Sequence, residues 1–124
     1  MKKIISTPNA PNPIGPYSQA VLVDNTLYIS GQIPVNPVSG IIEDEIKLQA
    51  IQVMKNINAI LLEAGFGFEN IVKTSIFITD MNNFAQINEV YGKYFISDFP
   101  ARETVQVSKL PLGVGIEISA IAIK

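Results

Sequence analysis

Neither histidine nor cysteine occurs among the 124 residues of this chain. That excludes a Ser-His-Asp triad, a Cys-His pair, a thiolate nucleophile, a disulfide framework and the usual nitrogen–sulfur zinc site. There is no Walker loop and no Gly-x-Gly-x-x-Gly motif. Chemistry is left to Asp, Glu, Lys, Arg, Tyr, Ser, Thr, backbone groups and water, a set suited to reactions with low intrinsic barriers. No metal and no cofactor is expected.

Charge is also scarce. Charged residues make up 16% of the chain, against roughly 25% in an average soluble protein. The hydrophobic share is 48%. A domain this small has much surface to cover and few charges to cover it with, so apolar surface is expected to face another subunit. Nine Lys/Arg against eleven Asp/Glu give a net charge of −2 with no basic cluster, which argues against nucleic acid. Long apolar runs are missing too. Ile57–Leu62 and Gly113–Ile123 are interrupted by Asn58 and Glu117, short of the ~20 residues a membrane span needs. Met1-Lys2-Lys3 is followed by only Ile4 and Ile5 before polar and proline residues, which is not a signal peptide. A cytoplasmic protein of one domain, residues 1–124, is expected.

What is present alternates strands and helices. Lys2–Ser6 reads as an edge strand and leads into a proline-dense loop from Thr7 to Pro16. Residues 19–23 and 26–30 form a hairpin about Asp24-Asn25, with Ser30-Gly31 at the end of its second strand. The acidic triplet Glu43-Asp44-Glu45 opens a long helix, complementing the macrodipole. Ile46, Ala50, Val53, Ile57, Ile60 and Ala64 mark its apolar face, and Gly65 stops it. A β-branched strand follows over Ile71–Thr79. A second helix is expected from about Asn83 to Phe95, with Phe84, Ile87, Tyr91 and Phe95 inward. Strands near Glu103–Val107 and Val114–Ile123 close the chain. The order β-β-β-α-β-α-β-β predicts an α+β domain, a mixed sheet with both helices on one face and the other face bare.

Two charged residues stand where charge is costly. Arg102 is the only arginine, and its planar fork grips a carboxylate through two hydrogen bonds as lysine cannot. A surface cation or a partner for Glu103 is the plainer reading of it. Glu117 interrupts the most apolar strand, on the face of Gly115 and Ser119 and opposite Ile116, Ile118, Ala120 and Ala122. A half-buried carboxylate there is expected to have a raised pKa, useful for handling a water proton near neutrality. The plainer reading is a solvated residue on the sheet's open face, which weakens if a partner subunit covers that face. Asn88 points with the inner stripe of the second helix, where an amide typically ties a loop to a helix. Tyr17 reads by default as a core or interface aromatic. Ser30-Gly31 can present a hydroxyl and a closely approached N–H.

Ala10-Pro11, Ile14-Gly15-Pro16-Tyr17-Ser18-Gln19-Ala20, Ser30-Gly31-Gln32-Ile33-Pro34-Val35, Ile71-Val72-Lys73-Thr74, Asn88 with Tyr91, Phe99-Pro100-Ala101-Arg102, Leu110-Pro111 and Ile116-Glu117-Ile118 together resemble the RidA (YjgF/YER057c/UK114) family over essentially the whole chain. The resemblance implies a chorismate-mutase-like homotrimer with active sites in the clefts between subunits. It also implies hydrolysis of 2-imino and 2-enamino acids, such as 2-iminobutanoate and 2-iminopropanoate, released by pyridoxal-phosphate dehydratases, to 2-oxo acids and ammonium. By the same resemblance Arg102 would clamp the substrate carboxylate with help from the Gly31 backbone, and Glu117 would orient the attacking water. Ser30, Thr104 and Tyr17 would shape the pocket and Asn88 would support its wall. Two positions depart from the pattern. Thr104 stands where many relatives carry cysteine, and Glu103, where relatives have a small or apolar residue, would compete for Arg102 if the two paired. A non-catalytic trimer that binds 2-oxo or amino acids is the alternative; it needs Arg102 but not Glu117.

Overall fold

The computed structural model describes every residue from Met1 to Lys124. Six strands are β1 (Lys2–Ile5), β2 (Ala20–Val23), β3 (Thr26–Gln32), β4 (Ile71–Ile78), β5 (Ala101–Gln106) and β6 (Ile116–Ile123), and two α-helices are α1 (Ile46–Ala64) and α2 (Phe84–Gly92). They form one mixed sheet in the order β1-β2-β3-β6-β4-β5. All neighbours are antiparallel except β4 and β5, which run parallel and are joined through α2. The α+β arrangement is the one expected.

Alternation along the strands decides which face is buried. Leu27 and Ile29 of β3, Ile76 and Ile78 of β4, and Ile116, Ile118, Ala120 and Ala122 of β6 join one cluster with Ala50, Val53, Ile57 and Ile60 of α1 and Ile87, Val90 and Tyr91 of α2. Both helices therefore cover the same face. The other face carries Tyr28, Lys73, Ser75, Phe77, Val105, Glu117, Ser119, Ile121 and Ile123, in register across four strands. Nothing in the chain covers it. Tyr28 is 50% exposed and Ile123 43%, a surface too apolar to be an ordinary solvated face.

The local signals act largely as expected. Asp24 takes a left-handed conformation (φ 52°) in the two-residue turn between Val23 and Thr26. Gly65, at φ 80°, ends α1 with its N–H on the carbonyls of Leu61 and Leu62. Four expectations need correction. The triplet Glu43-Asp44-Glu45 lies ahead of the first turn of α1: Glu45 is the extended N-cap and its side chain caps nothing. The turn is secured instead by Gln49, whose amide donates to the Glu43 carbonyl at 2.7 Å. The second helix ends at Gly92 rather than Phe95, although Phe95 is still buried by the turn that follows. β5 begins at Ala101, two residues earlier than expected, so Arg102 is within the sheet. Finally, Ser30-Gly31 is not the end of β3. Ile29 pairs with Ala120 and Gln32 with Ile118, so Ser30 and Gly31 stand together against Ser119 in a bulge.

Candidate active site

Arg102 and Glu117 project from opposite faces of the sheet. Arg102 pairs with Thr74 on β4, and Glu117 pairs with Phe77 on the same strand. Positions three apart on a strand point opposite ways. Thr74 is buried on the helix side, where its hydroxyl meets that of Tyr91 at 2.7 Å, whereas Phe77 lies on the uncovered face. Within one chain the guanidinium and the carboxylate do not share a cleft. Each sits in its own partial pocket.

The Arg102 pocket is built from α2 and the start of β5. Asn88, Tyr91, Gly92, Phe99, Pro100 and Arg102 line a cleft of about 350 Å³. The guanidinium carbon lies 5.1 Å from the centre of the Tyr91 ring and 5.6 Å from that of Phe84, so the cation rests against two aromatic faces. Nη1 donates to Asn88 Oδ1 at 2.8 Å. Beneath this platform the Tyr91–Thr74 bond is buried, and burial pushes the Tyr91 hydroxyl's pKa up. Phe84, Asn88 and Tyr91 follow the i, i+4, i+7 spacing of one helix face, so α2 presents a ready-made seat for the arginine. No carboxylate occupies that seat. The chain's two ion pairs are Lys47–Glu89 and Lys73–Glu103, both at 3.0 Å. Glu103 is engaged by Lys73 and by the Ser75 hydroxyl on the uncovered face, which holds its pKa below the usual glutamate value. The feared competition of Glu103 for Arg102 does not arise.

The Glu117 pocket lies on the other side. Ile14, Tyr17, Ser30, Gly31, Ile33, Pro111 and Glu117 line about 390 Å³. The carboxylate lies over the Gly31 backbone so closely that a methyl group at Gly31 would overlap it. The bulge and the glycine together make this approach possible. No side chain or backbone group of the chain donates a hydrogen bond to Glu117, and partial burial raises its pKa above the ordinary 4.5. Tyr17 forms an open wall. The Ser30 hydroxyl is turned away, donating to the Ser18 carbonyl at 2.6 Å, so it ties the loop before β2 to the bulge. Thr104 lines neither pocket. It lies two residues beyond Arg102 on the same side of β5, with a buried hydroxyl that has no partner.

The sequence reading expected Tyr17, Ser30, Gly31, Asn88, Arg102, Thr104 and Glu117 around one cleft. Within a single chain Tyr17, Ser30, Gly31 and Glu117 line one pocket and Asn88 and Arg102 another, and Phe84 and Tyr91, the seat of the arginine, were missed. Their spacing was visible but read as core. No group of three or more Asp, Glu, His or Cys side chains is arranged to hold a metal ion. No helix is long and apolar enough to cross a membrane.

The small α+β domain thus carries an acid-free arginine seat on one side of its sheet and an unpaired carboxylate on the other. The chain belongs to the RidA/YjgF family, whose model, described as Endoribonuclease L-PSP, matches residues 7–124. It is 50% identical to the human protein named 2-iminobutanoate/2-iminopropanoate deaminase, over 100% of this chain and 91% of that one. It is 52% identical to a RutC family protein of Pyrococcus horikoshii, over 100% of this chain and 99% of the other. Among solved structures, a conserved Rid-family protein from Yersinia pestis superposes with a TM-score of 0.97 at 52% identity, covering 100% of both chains. Escherichia coli TdcF with bound serine gives 0.96 at 45% identity, covering 98% of each.

Proposed function

We propose that this chain hydrolyses 2-imino and 2-enamino acids of short amino acids to 2-oxo acids and ammonium, acting in the cytoplasm as a homotrimer of single-domain subunits. Each site would join Arg102 of one copy to Glu117 of the next. The observation that carries this reading is the placement of the two side chains on opposite faces of one sheet. Each is unpaired with an opposite charge and each lines an open half-pocket. A second copy laid against the uncovered face with its own Arg102 pocket toward Glu117 would complete one shared site and bury Tyr28, Phe77, Ile121 and Ile123 at once. Relatives at about half identity carry the deaminase name, and the serine in E. coli TdcF is a ligand of the size and charge these pockets suit.

The proposed chemistry conserves atoms and charge. Arg102 holds the substrate carboxylate through the donors that Asn88 does not use, and the aromatic faces of Tyr91 and Phe84 limit how far it swings. The Gly31 backbone adds a contact where no side chain intervenes. An enamine first gains a proton at carbon and becomes the imine, which is protonated at nitrogen. Water adds to the C=N carbon while the Glu117 carboxylate of the neighbouring copy takes its proton. That proton passes to the amine of the carbinolamine. The C–N bond then breaks as the C=O of the 2-oxo acid forms, and the proton released from the carbinol hydroxyl is taken up by the departing ammonia, which leaves as ammonium. Because imines hydrolyse unaided, orientation together with one general base, worth about 10²–10⁴-fold, suffices. Ile14, Ile33 and Pro111 provide an apolar wall for a short side chain. Thr104 contributes shape behind Arg102 rather than contact.

The family model's description names an endoribonuclease. A net charge of −2, no histidine and no basic cluster favour a small acid over RNA as the ligand. The test is to generate 2-iminobutanoate with a threonine dehydratase, follow 2-oxobutanoate and ammonium, and use semicarbazide as a competing trap. Wild-type protein should suppress the semicarbazone and speed 2-oxobutanoate release. If it binds 2-oxo acids without any such acceleration, the non-catalytic reading replaces this one.

A further inference from the structure

The loop from Pro8 to Tyr17 carries Ile14 and Tyr17 to the wall of the Glu117 pocket, yet it has almost no backbone bonding of its own. Its one internal backbone hydrogen bond joins Tyr17 N–H to Gly15 O at 2.9 Å. Pro8, Pro11, Pro13 and Pro16 have no N–H to give. Its carbonyls must find donors elsewhere. Those of Ala10 and Pro11 find one in a single side chain. Gln19, only 2% exposed, accepts from the Thr7 N–H at 2.7 Å, and its Nε2 faces the carbonyls of Thr7 at 3.0 Å, Ala10 at 3.2 Å and Pro11 at 2.9 Å. Only a carboxamide offers an acceptor and two N–H donors at one buried point without charge.

We propose that Gln19 is a positioning residue for the reaction: it fastens the prolyl loop so that Ile14 and Tyr17 stand ready in the wall of the Glu117 pocket. This rests on reading that pocket as half of the imine site. Gln19 touches no reacting atom. Its effect is on the fraction of molecules whose loop is set before substrate arrives. A loop left in place only about one tenth of the time raises the apparent KM about tenfold and leaves turnover of the filled site nearly unchanged.

Two variants test it. Gln19→Ala should raise KM about tenfold with kcat within about twofold, and should speed hydrogen exchange at the Tyr17 amide while β4 and β6 amides keep their protection. Gln19→Glu keeps the shape but turns a carboxylate toward three carbonyls, so its KM at neutral pH should rise likewise. Protonation restores one donor, so its KM relative to wild type should fall toward one as pH drops from about 8 to about 5.5. A KM within about twofold of wild type for Gln19→Ala, or a fall in kcat at unchanged KM, overturns the proposal. If Gln19→Ala does not fold, the Gln19→Glu ratio decides, and a ratio independent of pH overturns it. Should wild-type protein prove inactive on imines, the functional reading fails by itself; accelerated exchange at Tyr17 in Gln19→Ala would still support the fastening, and unchanged exchange would overturn it.

Discussion

The two half-pockets are made in different ways. Arg102 sits on regular structure: a strand beside β4, a helix face supplying Phe84, Asn88 and Tyr91, and a buried Tyr91–Thr74 bond below. Glu117 also stands on a strand, but its surroundings are a bulge, a prolyl loop and a turn, fastened by side chains such as Gln19 and Ser30. In the proposed reaction the first holds a permanent charge that must not move. The second would hold a group that exchanges a proton, in a pocket open to water and substrate. Regular elements suit the first task and glycine-bearing irregular backbone the second, since only the latter lets a carboxylate lie against main chain.

Removing either half should break the account, to different degrees. Arg102→Ala leaves the substrate carboxylate unpaired, and kcat/KM for 2-iminobutanoate should fall about 10³-fold or more; Arg102→Lys should recover little, because lysine lacks the planar fork. Glu117→Ala removes the base but not the carboxylate clamp, so kcat should fall about 10²–10³-fold with 2-oxobutanoate still bound. Glu117 also sets a pH dependence. It must be ionised to accept the water proton, and burial raises its pKa above 4.5. The wild-type kcat should therefore decline as pH is lowered through a value above the ordinary glutamate range, and Glu117→Gln should abolish that limb. A limb that persists in the variant would assign the titration to another group.

Smaller changes sharpen the contrast. Gly31→Ala pushes a methyl group into the Glu117 carboxylate and should lower kcat by about 10²-fold, since a displacement near 1 Å costs about that much. Thermal unfolding of that variant should change little, because Gly31 is outside the buried cluster. Asn88→Ala deprives Arg102 of one charge-assisted bond and should raise KM about tenfold while leaving the pH profile alone. Steady-state kinetics on the two variants separate positioning of the base from positioning of the clamp.

Much of this layout was legible beforehand. Glu117 stood out because its neighbours alternate cleanly: Ile116, Ile118, Ala120 and Ala122 are all buried, as the pattern required. Arg102 stood out as a lone arginine, but the side it points to could not be read. β5 is an edge strand whose residues alternate in no apolar pattern, and its inward direction follows only from pairing with Thr74 on β4. The division of Arg102 and Glu117 between faces is thus a matter of strand order, which hydrophobic periodicity does not encode. The bulge at Ser30-Gly31 was hidden for a related reason: an extra residue in a strand leaves no mark beyond a glycine. Phe84 was read as core from its helical spacing, although it is 37% exposed and serves as a rest for Arg102.

Subunit complementation tests the central claim most directly. Arg102→Ala and Glu117→Ala subunits, each inactive alone, are unfolded together in equal amounts and refolded into mixed trimers. If every site takes its arginine from one copy and its glutamate from the next, about one site in four is intact in a random cyclic trimer, and about a quarter of wild-type imine hydrolysis should return. Mixed trimers of the same mass as wild type but no more active than either parent would contradict a site shared between copies.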